Sequence, residues 1–215
     1  MLARPRKTKT ARAPKTTRIR QTERTGLSEQ KLMEAAIDLL VKTGIQNTTL
    51  QEVGLRAGYS RGLATHRFGS KAGLFAHLLK VASADWLTRM QSAVGSRIGA
   101  DALVAATDAA NEFIHDRPDE VRAMYLLWFL SIDPGKNYHS NLSSVHRAQR
   151  RDAAAWILEG QKAGQVNPAA DPARVAEQYC ASMAGIIYQW LVCPELSPEA
   201  MFAQLKANFL TLLRP

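Results

Sequence analysis

Cysteine is scarce in this sequence: Cys180 and Cys193 are the two among 215 residues. Neither has metal-ligand spacing or a CxxC partner, which excludes a zinc ribbon and a dithiol redox motif and leaves buried free thiols as the expectation. No apolar run reaches the roughly 18 residues that a membrane-spanning helix needs, so no membrane partner is expected. The N-terminus lacks the apolar core of a signal peptide, which makes the cytoplasm the expected compartment. No segment combines period-two alternation with β-branched enrichment, so a sheet is not expected. The chain also has no P-loop, GxGxxG, HExxH or recognisable pair of acids. No catalytic residue, metal or cofactor is therefore expected, and the chain is not expected to be an enzyme.

What the chain does have is positive charge, unevenly placed. The formal net charge is +9. Residues 1–24 carry nine Lys or Arg and one acid, Glu23, so the remaining chain is close to neutral. This stretch is rich in Thr, Pro and Ala and holds almost no large apolar residue, so it cannot bury enough surface to fold alone. A disordered basic arm that contacts nucleic acid is expected there.

From Thr25 onward the pattern is helical. "SEQKLMEAAIDLLVKTG" has Ser28 as expected N-cap, Gly44 as expected stop, and an apolar stripe of Leu32, Ala35, Ala36, Leu39 and Leu40. "TTLQEVGLRAG" follows, with Thr48 or Thr49 as cap and Gly58 as stop. A short helix over about 61–68 comes next, and Ser70 is expected to cap a long one ending at Gly95. Five further helices are expected over about 101–115, from 118 to before 134, 142–163, 173–192 and 198–213. The expected class is all-α.

Within this pattern "GYSRG", Gly58 to Gly62, matches the G-x-S-x-G nucleophile elbow of serine hydrolases. An elbow joins a buried strand to a helix, and the residues before Gly58 are an amphipathic helix instead. Two short helices joined by a tight glycine turn form a helix-turn-helix. In that reading Gly54 and Ala57 allow a close crossing, and Gly58 takes the left-handed turn. Tyr59 plugs the angle, Ser60 caps the second helix, and Ala64 and Phe68 anchor it. Gly62, Leu63, Thr65 and His66 remain on or beside the free face, with Arg61 and Arg67 at the flanks.

The run "TTLQEVGLRAGYSRGLATHRFGSKAGLF", preceded by "LMEAAIDLLVKTG", resembles the DNA-binding region of the TetR family of bacterial transcriptional regulators. The matching marks are Ala35-Ala36, Gly44, Thr48-Thr49, Ala57-Gly58, Ser60-Arg61-Gly62, His66, Phe68 and Ser70-Lys71. The resemblance implies a three-helix DNA-binding domain over 25–72, following the arm of 1–24. It also implies a helical ligand-binding and dimerisation domain over 73–215. Double-stranded DNA with a palindromic operator, a small-molecule effector and a second copy of the chain are the implied partners, and repressor is the implied role. By position, Thr49, His66 and Lys71 are expected to hold phosphate, and Arg61, Gly62, Leu63 and Thr65 to read bases. The sequence departs from the family at Leu63-Ala64-Thr65, where Thr-Leu-Tyr is usual, and at Arg67, where an aromatic is usual. Arg67 is then a candidate replacement phosphate contact, and Leu63 a candidate for a thymine methyl.

In the C-terminal half, Trp86, Met90, Phe113, Met124, Trp128, Tyr179 and Met183 are large residues at helical spacing. Such stripes are usually plain core. The resemblance turns them into an expected ligand pocket, apolar or amphipathic in taste because few charges interrupt it, with Asn111, His115 and Gln178 as candidate polar anchors. His115, His139 and His146 form no tight metal-ligand set. The last two helices are the expected dimer interface. Ala181 and Gly185 allow close approach there, and Tyr188, Phe202, Leu205 and Phe209 supply bulk.

Overall fold

The computed structural model describes residues 21–132 and 139–215. They form nine α-helices: α1 (Gln21–Asn47), α2 (Leu50–Arg56), α3 (Leu63–Phe68), α4 (Lys71–Val94), α5 (Gly99–Asp116), α6 (Pro118–Leu130), α7 (His139–Lys162), α8 (Pro172–Val192) and α9 (Pro198–Leu212). No strand occurs among the described residues. The expected arm lies outside them up to residue 20, and its last four residues belong to α1.

The helix boundaries follow local chemistry. Gly44 takes φ 79° and ψ 173°, breaking α1 where the sequence places its stop. Thr49 caps α2 by accepting from the Glu52 amide, and Ser70 caps α4 by accepting from the Gly73 amide. Each such cap contributes about 1 kcal/mol. Asp171 and Ser197 cap α8 and α9, each followed by a proline in the first turn, where its missing N–H costs nothing. Two expected caps are corrected. Ser28 sits inside α1, its hydroxyl donating to the Thr25 carbonyl, because the helical run begins a full two turns earlier. Ser60 caps nothing with its side chain: residues 61 and 62 form a turn, its carbonyl receives the Leu63 amide, and Gly62 occupies the cap position of α3.

Two apolar cores share two helices. The N-terminal core holds Leu32, Ala36 and Leu40 of α1, Val53 of α2, Ala64 of α3, and Leu74, Phe75, Leu78 and Leu79 of α4. Ala123 and Leu127 of α6 complete it. The C-terminal core is built from α4 to α9, starting with Trp86, Met90 and Val94 about two to four turns further along α4. On α6, Val121, Met124 and Tyr125 enter this second core, while Ala123 and Leu127 enter the first. α4 and α6 are thus walls of both.

Candidate DNA-binding face and ligand cavity

The helix-turn-helix is set by two close approaches. At Gly58 φ is +80°, a conformation that costs glycine little. At Gly54 an added Cβ would lie 2.6 Å from the Ser60 carbonyl oxygen, so only a hydrogen fits where the turn crosses α2. The Tyr59 amide donates to the Gly54 carbonyl at 2.9 Å and locks the crossing. Gly73, which the sequence reading passed over, is a second such point. Its added Cβ would lie 2.1 Å from the Phe68 carbonyl oxygen, where α3 hands over to α4.

Ser60, Arg61, Gly62, Thr65 and His66 are exposed on the α3 side of this unit, and Leu63 is half-buried. Ala64 is fully buried, and Phe68 packs against the core and against the His77 ring at 5.3 Å. Thr49 is exposed at the start of α2. Lys71 donates to the Gln46 carbonyl at 2.9 Å and lies over the Phe75 ring, which fixes its stem beside the end of α1. Arg67 departs from expectation. Its guanidinium turns back to α1, 3.5 Å from Glu29 and 3.4 Å from the Ser28 hydroxyl. His77 meets the same Glu29 at 2.8 Å. Arg56 is likewise engaged: with Lys42 it pairs with Asp38, and Lys42 first, then Arg56, hold that carboxyl below its usual range. Ser60 lies between two helices, so the strand an elbow requires is absent.

In the C-terminal region a cavity with about 690 Å³ of empty space, part of it open to solvent, is enclosed by α4 to α8. Trp86, Met90, Met124, Trp128, Tyr179 and Met183 line it, six of the seven expected residues. Phe113 does not; it stands behind Trp86, edge to face at 5.3 Å. The candidate anchors are corrected as well. His115 is on the surface, paired with Glu199 at 2.7 Å, Gln178 is exposed, and Asn111 does not line the cavity. The polar lining comes instead from Gln91 on α4 and from His146, Gln149 and Asp152 on α7.

Burial keeps most of this lining uncharged. The Cys180 thiol is pushed up to about 11, and burial raises both Tyr125 and Tyr179. Tyr125 donates to the Ala184 carbonyl, while Tyr179 bonds Thr107 and the Leu103 carbonyl, so both hydroxyls are committed. Burial lowers His146, so its ring is neutral at pH 7. Among the described residues Asp152 is the one formal charge in the lining, and it accepts from Arg151 on one oxygen and from Gln91 on the other. Among the described residues no group of three His, Cys, Asp or Glu is placed to hold a metal ion. No described helix is long and apolar enough to cross a membrane.

The last two helices divide their faces otherwise than expected. Phe202, Leu205 and Phe209 are buried in the protomer's own core. Ala181, Gly185 and Tyr188 are exposed on α8, and the outer face of α9 carries Ala203, Ala207 and Leu210. Beside Gly185 an added Cβ would meet open space.

The described residues thus form an all-α protein with an N-terminal helix-turn-helix and a cavity-bearing helical C-terminal part. Residues 32–78 match the family model described as bacterial regulatory proteins, tetR family. The fold agrees with solved structures over most of the chain. A transcriptional regulator from Rhodococcus sp. Rha1 is 21% identical with TM-score 0.72, covering 85% of this chain and 94% of its own. The MbdR regulator from Azoarcus sp. CIB is 22% identical with TM-score 0.71, covering 87% and 100%. SmeT, the repressor of the Stenotrophomonas maltophilia multidrug efflux pump SmeDEF, is 18% identical in its triclosan complex, with TM-score 0.72 and coverage of 87% and 92%. No curated protein matches the sequence. Residues 32–78 thus carry a tetR-family DNA-binding region, and the fold over most of the chain is that of these solved structures.

Proposed function

We propose that this protein is a homodimeric repressor that leaves a palindromic operator when a small apolar or amphipathic ligand fills the cavity. One observation carries the reading: the cavity rests on the two helices that also close the DNA-binding core. Trp86 and Met90 of α4 and Met124 of α6 line it, while Leu78 and Leu79 of α4 and Ala123 and Leu127 of α6 hold α1. Protein interiors are close-packed, so a ligand that displaces these walls also displaces the helix-turn-helix that leans on them. That SmeT is a repressor with a triclosan complex supports the reading by likeness of fold.

On the DNA side, Thr49, His66 and Lys71 hold phosphate, and Arg61, Gly62, Leu63 and Thr65 face bases. Ser60 serves the turn through its backbone, and Arg67 braces α3 against Glu29 rather than reaching DNA. The dimer forms through the outer faces of α8 and α9, where Ala181, Gly185 and the α9 alanines permit close approach and Tyr188 and Leu210 supply apolar area. C2 symmetry then presents two α3 helices to two half-sites. The test is a binding titration on the DNA upstream of the protein's own gene against a scrambled duplex, both with heparin. Retention on the upstream DNA alone supports the reading. Loss on both sequences equally would reduce the chain to a non-specific binder.

A further inference from the structure

We propose that the cavity recognises an uncharged aromatic molecule bearing a hydroxyl group, and that this hydroxyl sits between Trp128 and His146. The inference rests on reading the cavity as the effector site. Its walls are aromatic: Trp86, Trp128 and Trp156 from three helices, with Tyr125 and Tyr179 behind. Ring faces of that kind favour a flat, apolar body. The polar groups then discriminate among substituents by what they still lack. Tyr125, Tyr179 and Asp152 already have partners. Trp128 does not: its buried indole N–H has no acceptor. A buried donor without a partner is costly, and a ligand oxygen that accepts from it recovers that cost.

The other half of the recognition is His146, whose ring lies 4.9 Å from that of Trp128. His146 Nδ1 meets Gln149 Oε1 at 3.1 Å. An amide oxygen only accepts, so the ring proton is on Nδ1 and Nε2 is left as an acceptor. One donor and one acceptor on adjacent rings match a hydroxyl, which accepts and donates at one oxygen. An ammonium has no lone pair for Trp128. A carboxylate has no proton for His146 and finds no cationic side chain in the lining among the described residues.

The test is calorimetric titration of the full chain with naphthol, naphthalene, naphthoate and naphthylmethylammonium, four probes with one ring system. Naphthol should bind about tenfold more tightly than the other three. Trp128→Phe keeps an aromatic wall but removes the N–H. It should cost naphthol about tenfold while leaving naphthalene within roughly twofold, which also shows that the cavity is intact. His146→Phe should do the same, and the double variant should lose little more than either single one, because both act on one hydroxyl. Equal binding of all four probes, preference for naphthoate or the ammonium, or no binding of any overturns the proposal. Selective naphthol binding that leaves operator affinity unchanged would uphold the cavity chemistry and overturn the regulatory reading instead.

Discussion

The two halves of α4 serve cores of opposite kind. Its first half closes a small core in which Leu32, Leu40, Val53, Ala64 and Leu74 are wholly buried, and glycines stand where backbone meets backbone. Its second half borders a larger core with a space left among three tryptophans. The first is built to hold one shape, which in the proposed function fixes the spacing of the recognition residues on α3. The second keeps unfilled volume, which costs stability and, in the proposed function, admits a ligand. A regulator needs both, joined by an element that belongs to each.

The comparison breaks most completely at the crossing of α2 and the turn. Gly54→Val places a side chain where 2.6 Å separates a Cβ from the Ser60 carbonyl. Operator binding should fall by more than about a hundredfold through a misplaced α3, with a cost of ~2–3 kcal/mol in the N-terminal core. Circular dichroism should still show a helical protein, and calorimetry should still show naphthol binding. Loss of both functions together would mean that the two cores are not separable in this way.

The proposed dimer face comes next. Gly185→Arg introduces charge on the exposed small-residue face of α8, where the protomer itself leaves open space. Sedimentation should report monomers, and operator affinity should drop by roughly a hundredfold or more as one half-site binds alone. An intact dimer with binding nonetheless lost would move the interface elsewhere.

A cavity-filling change sharpens the contrast from the other side. Cys180→Phe puts a ring into the ligand space without touching the N-terminal core. Effector response should weaken by about tenfold while operator affinity stays within roughly threefold, the reverse of the Gly54 result. Lys71→Ala should lower affinity for every duplex about equally and reduce the salt slope by ~1 per half-site contact. A change in sequence preference instead would mean that Lys71 reads bases.

The smallest expected effect is from pH. Burial lowers the His146 pKa, so the unfolded chain, titrating near the ordinary value of 6.5, takes up the proton first as pH falls. Stability should decline as pH drops below 6.5 and level off below the lowered native value. Arg147 is adjacent to it in the chain, and Arg150, whose charge also disfavours the protonated ring, Arg151 and Asp152 follow along α7. His146→Phe should flatten that slope in thermal melts between pH 7 and pH 5.

Much of this division was legible beforehand, and the exceptions share a cause. Gly44, Gly58, Thr49 and Ser70 act at chain positions where backbone geometry is decided locally, so sequence alone located them. Periodicity also marked the apolar stripes as buried faces, and the family resemblance pointed six of their residues to a cavity, because a helix face that is apolar is buried against something. It does not say against what. Phe202, Leu205 and Phe209 are spaced as an interface or as a core, and the structure makes them core. The outer face of α9 mixes Ala203 and Ala207 with Gln204, Asn208 and Leu210, too weak a signal to read. His146, Gln149 and Asp152 lie on an otherwise polar helix and read as a solvated face until α7 is packed over the cavity. Arg67 was assigned to DNA by position, whereas Glu29, thirty-eight residues away, was beyond local reasoning.

The central claim is that filling the cavity loosens the grip on DNA through α4 and α6. The direct test is anisotropy of the full-length protein on the DNA upstream of its own gene, with naphthol raised through the range in which calorimetry shows it binding. Coupling between two sites is typically worth 5- to 150-fold, so operator affinity should fall by at least about fivefold and saturate together with calorimetric occupancy. Operator affinity unchanged at full occupancy would contradict the account.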